Sequence, residues 1–228
     1  MSWLSTLRRL RAVLADGNNA ALGDIAVLKS DLVGVDVVPR LRPLLDPVRG
    51  YLPSIDLDAL AALPGNTFGH AYAEFVRTHD LSLFVVTDAV DAEMRRRNAF
   101  GIRYAVTHDM FHVLLGFGPD WPGEMGVLAF AVGQGYTRAQ VFAAAFAWLI
   151  YPFRCGFNVG ALLRAWRRGY GLGAQAPFLL GLRLEERFGE DLMALRRELS
   201  LDDASTGSGL LASGAAPGMP GSAAIARR

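Results

Sequence analysis

Two of the four histidines in this 228-residue chain, His108 and His112, stand four residues apart. In a helix that spacing puts both imidazoles on one face, one turn apart, which is how a single helix offers two nitrogens to one metal ion. The stretch that follows, HVLLGFGPDWPGE, reads as a helix end at Gly116, a turn through Gly118, Pro119 and Asp120, and a new helix entered at Pro122 with Glu124 in its first turn. An antiparallel second helix points the Glu124 carboxylate back at the imidazoles. Two neutral His nitrogens and one carboxylate, with positions left open, are the ligand set of catalytic zinc and of non-haem iron(II) sites. Asp109 is a candidate fourth ligand. It lies about 100° around the helix from His108, so it also suits a group that orients an imidazole or carries a proton. The same residues admit a purely structural role, with the histidines satisfied in a core and Glu124 complementing a helix dipole.

The elements that must position these groups read as helices throughout. Apolar periodicity predicts a long helix from a cap at Thr87 or Asp88 to Leu115, a second from near Pro122 and a third from Thr137. Further helices are expected over about 157–168, 177–187 and 190–199. Residues 22–62 suggest short helices broken by Pro39, Pro43, Pro47 and Pro53, and no alternating strand pattern of any length is visible. The expectation is an all-α, single helical domain over 1–202, bundle-like. After Asp203 the composition turns to Gly, Ala, Ser and Pro, which predicts a disordered tail over 203–228.

Composition removes several classes of function. With 23 basic and 22 acidic side chains, the chain lacks the cationic footprint of a nucleic-acid partner. The single Cys155 excludes an internal disulfide or a zinc-thiolate site, so any metal is held by His, Asp or Glu. The apolar fraction is high at 52%, with mean hydropathy +0.25. The longest apolar run, Val141–Phe153, falls short of the roughly 20 residues a membrane span needs. Extending it back to Met125 would bury Arg138 in lipid, which is costly. Thr137 and Gln140, three residues apart, read as a capping box, so the run is expected to be a buried helix. At the N-terminus, Trp3, Leu7, Leu10 and Leu14 form one stripe beside Arg8, Arg9 and Arg11. Such a helix lies on an anionic membrane surface or docks on the domain, and it lacks the apolar core of a secretory signal. His70 and His79 have no partner at metal spacing.

The string His108-Asp109-x-x-His112, eleven residues, then Glu124 resembles the metal motif HDxxH-x11-E of the coenzyme Q biosynthesis protein 4 family. Leu63-Pro64-Gly65-Asn66-Thr67-Phe68-Gly69 with Tyr72 and Phe75 is similar to that family's LPxxTLG-xxY-xxF segment. Arg103-Tyr104 matches an Arg-Tyr pair before the motif, and Glu185, Arg187 and residues 195–199 resemble its C-terminal block, so the likeness covers about residues 60–201. The resemblance implies an all-helical ubiquinone biosynthesis protein attached peripherally to the membrane, on the cytoplasmic face in a bacterium or the matrix side of the inner membrane in a mitochondrion. It implies metal-dependent C1-decarboxylation of a polyprenylated 4-hydroxybenzoate, with hydroxylation of the same ring carbon, zinc as first choice of metal and iron as the alternative. It also implies binding of the prenyl lipid and of other ubiquinone biosynthesis enzymes; a homodimer is compatible with it. The apolar surplus then suits an apolar lipid pocket or tunnel lined by Phe111, Phe130, Phe142, Phe146, Trp148 and Phe153, residues that would otherwise be plain core. The competing reading is a non-catalytic lipid-binding scaffold in which His108, Asp109, His112 and Glu124 close a structural site. The chain departs from the family at Ala105 and Val106, where Arg and Glu are usual, and at Phe188 and Gly189, where Trp-Glu is usual, which weakens the substrate assignment before the metal one.

Overall fold

A computed structural model describes residues 22–34, 36–88 and 90–202, with Thr6, Arg9 and Leu10 placed against them. The predicted tail over 203–228 and most of the N-terminal stripe lie outside the described residues. Nine α-helices carry the described chain: α1 Leu22–Val33, α2 Leu57–Ala61, α3 Phe68–Thr78, α4 Ala92–Arg97, α5 Ala99–Leu115, α6 Trp121–Gln134, α7 Arg138–Arg154, α8 Val159–Gln175 and α9 Leu192–Glu198. Three 3-10 segments join them, at Pro39–Val48, Leu179–Gly181 and Leu184–Arg187. No strand occurs among the described residues, only an isolated bridge between Thr67 and Asp191.

Helix α5 is the central element. Phe100, Ile102, Val106, Met110, Phe111, Val113, Leu114 and Leu115 are all buried, so it is apolar on nearly every side, as a helix enclosed by its neighbours must be. Its one buried charge, Arg103, makes a two-pronged ion pair with the equally buried Glu185, at 2.6 and 3.0 Å, and donates to the Leu182 carbonyl at 3.0 Å. That anchor ties the C-terminal segment to the core. It also explains a departure from expectation: residues 177–187 form two 3-10 segments rather than one helix, because Leu182 is extended and spends its carbonyl on Arg103.

The predicted long helix from Thr87 is likewise two. Asp91 caps α4 through Met94 N at 2.8 Å; Asn98 then ends α4 and caps α5 through Gly101 N, while its amide also reaches Val27 O and Ser30 Oγ. At Thr87 the backbone N–H and the hydroxyl both donate to Asp24. The LPGNT segment and the C-terminal block prove to be one clip. Asn66 binds Asp191 at 2.8 Å, Phe68 N donates to Glu190 O and Gly69 N to Phe188 O, and Thr67 caps α3.

Helices α6 and α8 approach each other very closely. A Cβ on Gly169 would stand 2.0 Å from Gly126 O, and one on Gly173 would stand 2.2 Å from Phe130 O, so only glycine permits this seam. Helix α7 lies outside the pair and contributes just Ala144, Ala147 and Gln140 to the interior. The expectation that Val141–Phe153 is a buried helix is therefore corrected. Thr137 does cap it, through Ala139 N, but Val141, Phe142, Phe146, Leu149 and Phe153 face outward. With the α6–α8 seam already closed by backbone contact, α7 packs on the pair through Gln140, Ala144 and Ala147, with Trp148 and Tyr151 half-buried beside them.

Candidate metal centre

Each donor is placed by an identifiable local device. Gly116, at φ 66°, ends α5 in the left-handed conformation, and Phe117 N closes back on His112 O at 3.0 Å. Asp120 caps α6 through Gly123 N at 2.8 Å with Pro122 in the first turn, so Glu124 enters the helix facing back along α5. Gly123 is required for this turn, because a Cβ there would lie 1.8 Å from Gly118 O. That same carbonyl accepts from His112 Nδ1 at 3.0 Å.

The outcome is a convergence of three side chains. His108 Nε2 lies 3.5 Å from one Glu124 oxygen and His112 Nε2 lies 3.5 Å from the other. The two rings are 5.0 Å apart between centroids, and the three ligand atoms lie within 4.8 Å of one another. The two 3.5 Å nitrogen–oxygen separations are longer than good N–H···O hydrogen bonds and close to the roughly 3.4 Å between ligand atoms held about 2.1 Å from one tetrahedral ion. His112 is 1% exposed and its Nε2 has no hydrogen-bond partner, an orphaned buried lone pair aimed at this point. The residues present therefore fit a metal ion. Both far nitrogens are already committed: His112 Nδ1 to Gly118 O, and His108 Nδ1 to Asp109 Oδ1 at 3.3 Å. A neutral imidazole protonated at Nδ1 presents its Nε2 lone pair to the metal, so both outer partners select the coordinating tautomer.

Of the four residues expected to hold the ion, the structure brings His108, His112 and Glu124 together and sets Asp109 behind His108. Electrostatics follow the same geometry in the metal-free protein. Burial opposes a charge on His108, yet the adjacent carboxylates of Asp109 and Glu124 overcome it and push the imidazole up to about 10. Burial works against the Glu124 charge too, but the two histidines hold its carboxyl well below the usual range. Tyr72, Tyr104 and Tyr151 surround the site. Burial raises all three phenols, with Asp109 adding to Tyr72 and Glu124 to Tyr104 and Tyr151; Tyr151 is pushed up to about 12.

Several neighbours were invisible as site residues in the sequence. Phe75 stacks on His112 at 5.6 Å, and His79 packs on Phe75 at 4.8 Å, held below the ordinary histidine range by burial and by His112. Tyr104, one turn before His108 with ring centroids 6.0 Å apart and edge-on, carried a signal in its helical spacing. His70 has no part here; its Nδ1 meets Ala61 O at 3.0 Å. Cys155 is free and half-buried. The six residues expected to line a lipid tunnel are not brought together. Phe111 and Phe130 are fully buried against each other at 5.6 Å, Trp148 packs on Trp166, and Phe142, Phe146 and Phe153 are exposed.

An all-helical domain whose central helix and its successor present two histidines and a glutamate to one point defines a class of helical proteins with a candidate mononuclear metal centre. Residues 49–205 match the family model for the coenzyme Q (ubiquinone) biosynthesis protein Coq4, and the chain belongs to that family. It is 32% identical over 181 residues to the mitochondrial ubiquinone biosynthesis protein COQ4 homolog of Bos taurus, covering 77% of this chain and 63% of the bovine protein. It is 24% identical over 214 residues to the mitochondrial COQ4 homolog of Danio rerio, covering 85% of this chain and 77% of that one. The chain thus spans under two thirds of the bovine relative's length. A crystal structure from Nostoc punctiforme PCC 73102, of a protein assigned to ubiquinone biosynthesis, shares the fold with TM-score 0.61 and 24% identity, covering 88% of this chain and 96% of the other.

Proposed function

We propose that this ubiquinone biosynthesis protein is a metal-dependent lyase that removes the C1 carboxylate of a polyprenylated 4-hydroxybenzoate, holding the prenyl lipid at the membrane among the other enzymes of the pathway. The observation that carries the reading is the three-donor set. His108, His112 and Glu124 converge while Asp109 is turned to the far nitrogen of His108, so no fourth carboxylate, histidine or cysteine joins the cluster among the described residues. Catalytic sites keep such a position open, whereas structural zinc sites close it, which favours the enzyme over a scaffold pinned by a closed site. His108, His112 and Glu124 would hold a divalent ion, zinc by preference and iron if oxygen chemistry is involved, which would supply Lewis acidity toward the substrate's oxygens.

The remaining work falls to the protein. Gly118 O and Asp109 fix the two imidazoles, so the donor set is organised before substrate arrives. Phe75 and Tyr104 bracket the imidazoles and limit water around them. Asp109, partly exposed beside His108, is the candidate carrier of the proton that replaces CO2 on the ring carbon. By this reading the protein works on the matrix side of the inner membrane in a mitochondrion, the organelle its relatives' names give, or on the cytoplasmic face in a bacterium. Elemental analysis of wild type, His108→Ala and Glu124→Ala, with CO2 release from a short-tailed prenyl-hydroxybenzoate, tests the proposal. About one equivalent of metal, lost in both variants together with CO2 release, is expected. Metal without turnover overturns the decarboxylase, and metal-free wild type overturns the metal centre.

A further inference from the structure

The outward face of α7 is the largest unexplained feature of the molecule. Val141, Phe142, Phe146, Leu149 and Phe153 recur at helical spacing on one exposed stripe. The stripe continues around the hairpin tip to Phe157, whose ring meets Phe153 at 5.0 Å, and on to Val159 and Leu163 at the start of α8. Phe142, Phe146, Phe153 and Phe157 are 76, 65, 66 and 64% exposed. Those four rings alone present on the order of 500 Å² of apolar surface, already at the upper end of what a soluble monomer shows without a use for it. Phe157 also adopts φ 62°, a conformation that a bulky side chain reaches only under strain. An aromatic that is both strained and exposed is not serving the core.

Charge identifies what covers this face. From Met125 to Leu184 the chain contains no Asp or Glu, while Arg138, Arg154, Arg164 and Arg167 are exposed along the same hairpin. A second copy docked here by a two-fold axis would bring two sets of arginines together with no carboxylate in either hairpin to answer them. An apolar ridge flanked by arginines alone is complementary to an anionic lipid surface, where the rings enter the acyl boundary and the guanidiniums meet phosphates. No helix among the described residues is long and apolar enough to cross a bilayer, so the contact lies in the plane of the interface.

We infer that the α7–α8 hairpin is a membrane-docking surface, with Phe142, Phe146, Phe153 and Phe157 inserting into an anionic bilayer and Arg138, Arg154 and Arg164 on its headgroups. The docking rests on the membrane location in the proposed function and names the surface that makes the contact, this hairpin rather than the Trp3–Leu14 stripe; it does not depend on the reaction assigned to the metal centre. The test is sedimentation of the full chain with vesicles of phosphatidylcholine alone and of phosphatidylcholine with phosphatidylglycerol. Phe142→Glu/Phe146→Glu is expected to weaken binding to the anionic vesicles by about tenfold or more while thermal stability and metal content stay at wild-type values, because both side chains are outside the core. Arg138→Glu/Arg164→Glu should lose binding to the anionic vesicles alone. Unchanged binding in the Phe variant overturns the inference, as does binding lost in Trp3→Glu/Leu7→Glu but retained in the Phe variant. Failure of wild type to bind either vesicle, with a dimer in sedimentation equilibrium that the Phe variant dissolves, reassigns the face to self-association.

Discussion

Gly123→Ala tests whether the loop between α5 and α6 tunes the metal site through its backbone. The added methyl would lie 1.8 Å from Gly118 O and 2.8 Å from Gly118 C, where ordinary contact needs about 3.4 Å, so the carbonyl must move by more than an ångström. It is backbone and cannot swing aside as a side-chain end would. Its 3.0 Å bond from His112 Nδ1 cannot survive such a displacement, and His112 loses the partner that fixes its ring and tautomer. Loss of one outer partner of a metal-binding histidine weakens affinity about 10–100-fold, equivalent to about 1.4–2.7 kcal/mol. The substitution also presses on the Asp120 cap, so Asp120→Ala serves as a control that costs about 1 kcal/mol of stability while leaving the Gly118–Gly123 approach intact. Zinc affinity, measured by competition with a chromophoric chelator on folded protein, should fall in Gly123→Ala well below the Asp120→Ala value. Equal affinity for wild type and folded Gly123→Ala would refute the idea that Gly118 O orients His112.

Asp109→Asn should weaken zinc binding about 10–100-fold yet still saturate near one equivalent, the behaviour of an outer partner; abolition as complete as in His108→Ala would make Asp109 a direct ligand. Glu185→Ala leaves the buried Arg103 guanidinium unpaired and should cost about 3–5 kcal/mol in urea unfolding, while Arg103→Met/Glu185→Leu should recover most of that loss; equal stabilities for the two variants would contradict it. For the metal-free protein, His108 is raised in the folded state, so its contribution is fully present below its unfolded value near 6.5 and is lost as pH rises toward about 10. Glu124 is depressed, so its contribution is present above its unfolded value near 4.5 and is lost as pH falls below that. Chelator-treated protein should therefore lose Tm between pH 6.5 and 10, an alkaline loss that saturating zinc removes by requiring neutral His108; a flat alkaline limb without metal would show that the His108–Glu124 pairing is absent in solution.

Much of the site was legible because its positioning is local. His108 and His112 share a face by helical period, and Gly116, Asp120 and Pro122 spell the end of one helix and the start of the next within a few residues, so Glu124 had to return toward the imidazoles. The role of Asp109 was open because a residue adjacent to a ligand reaches the ion or the far nitrogen by choice of rotamer, and only the packed structure selects one. Phe75 and His79 reach the site across α3, a tertiary juxtaposition that no spacing encodes. The same holds for the broken helix over 177–187. Its sequence is compatible with a helix, and the Leu182 carbonyl is withdrawn from it by Arg103, a residue 79 positions away.

The misplacement of α7 has a different cause. Apolar residues surround that helix at nearly every angle, and a helix apolar on all sides is buried either in protein or against lipid. Hydropathy measures aversion to water and is blind to which of the two relieves it. What separates them is the packing of α6 on α8 through Gly126, Gly169 and Gly173, which leaves α7 outside the pair, with Gln140, Ala144 and Ala147 buried, Trp148 and Tyr151 half-buried and its exposed phenylalanines outward. The surplus of apolar residues, which suited the lipid tunnel implied by the family resemblance, is in good part accounted for by this outer stripe. The hydrophobic excess of the chain and the absence of a membrane-crossing helix among its described residues then cease to conflict. On the docking inferred above, a protein that lays one helix on the bilayer needs apolar surface without apolar length, and α7 would supply it one helix away from Glu124, which it approaches from its inner side through Tyr151.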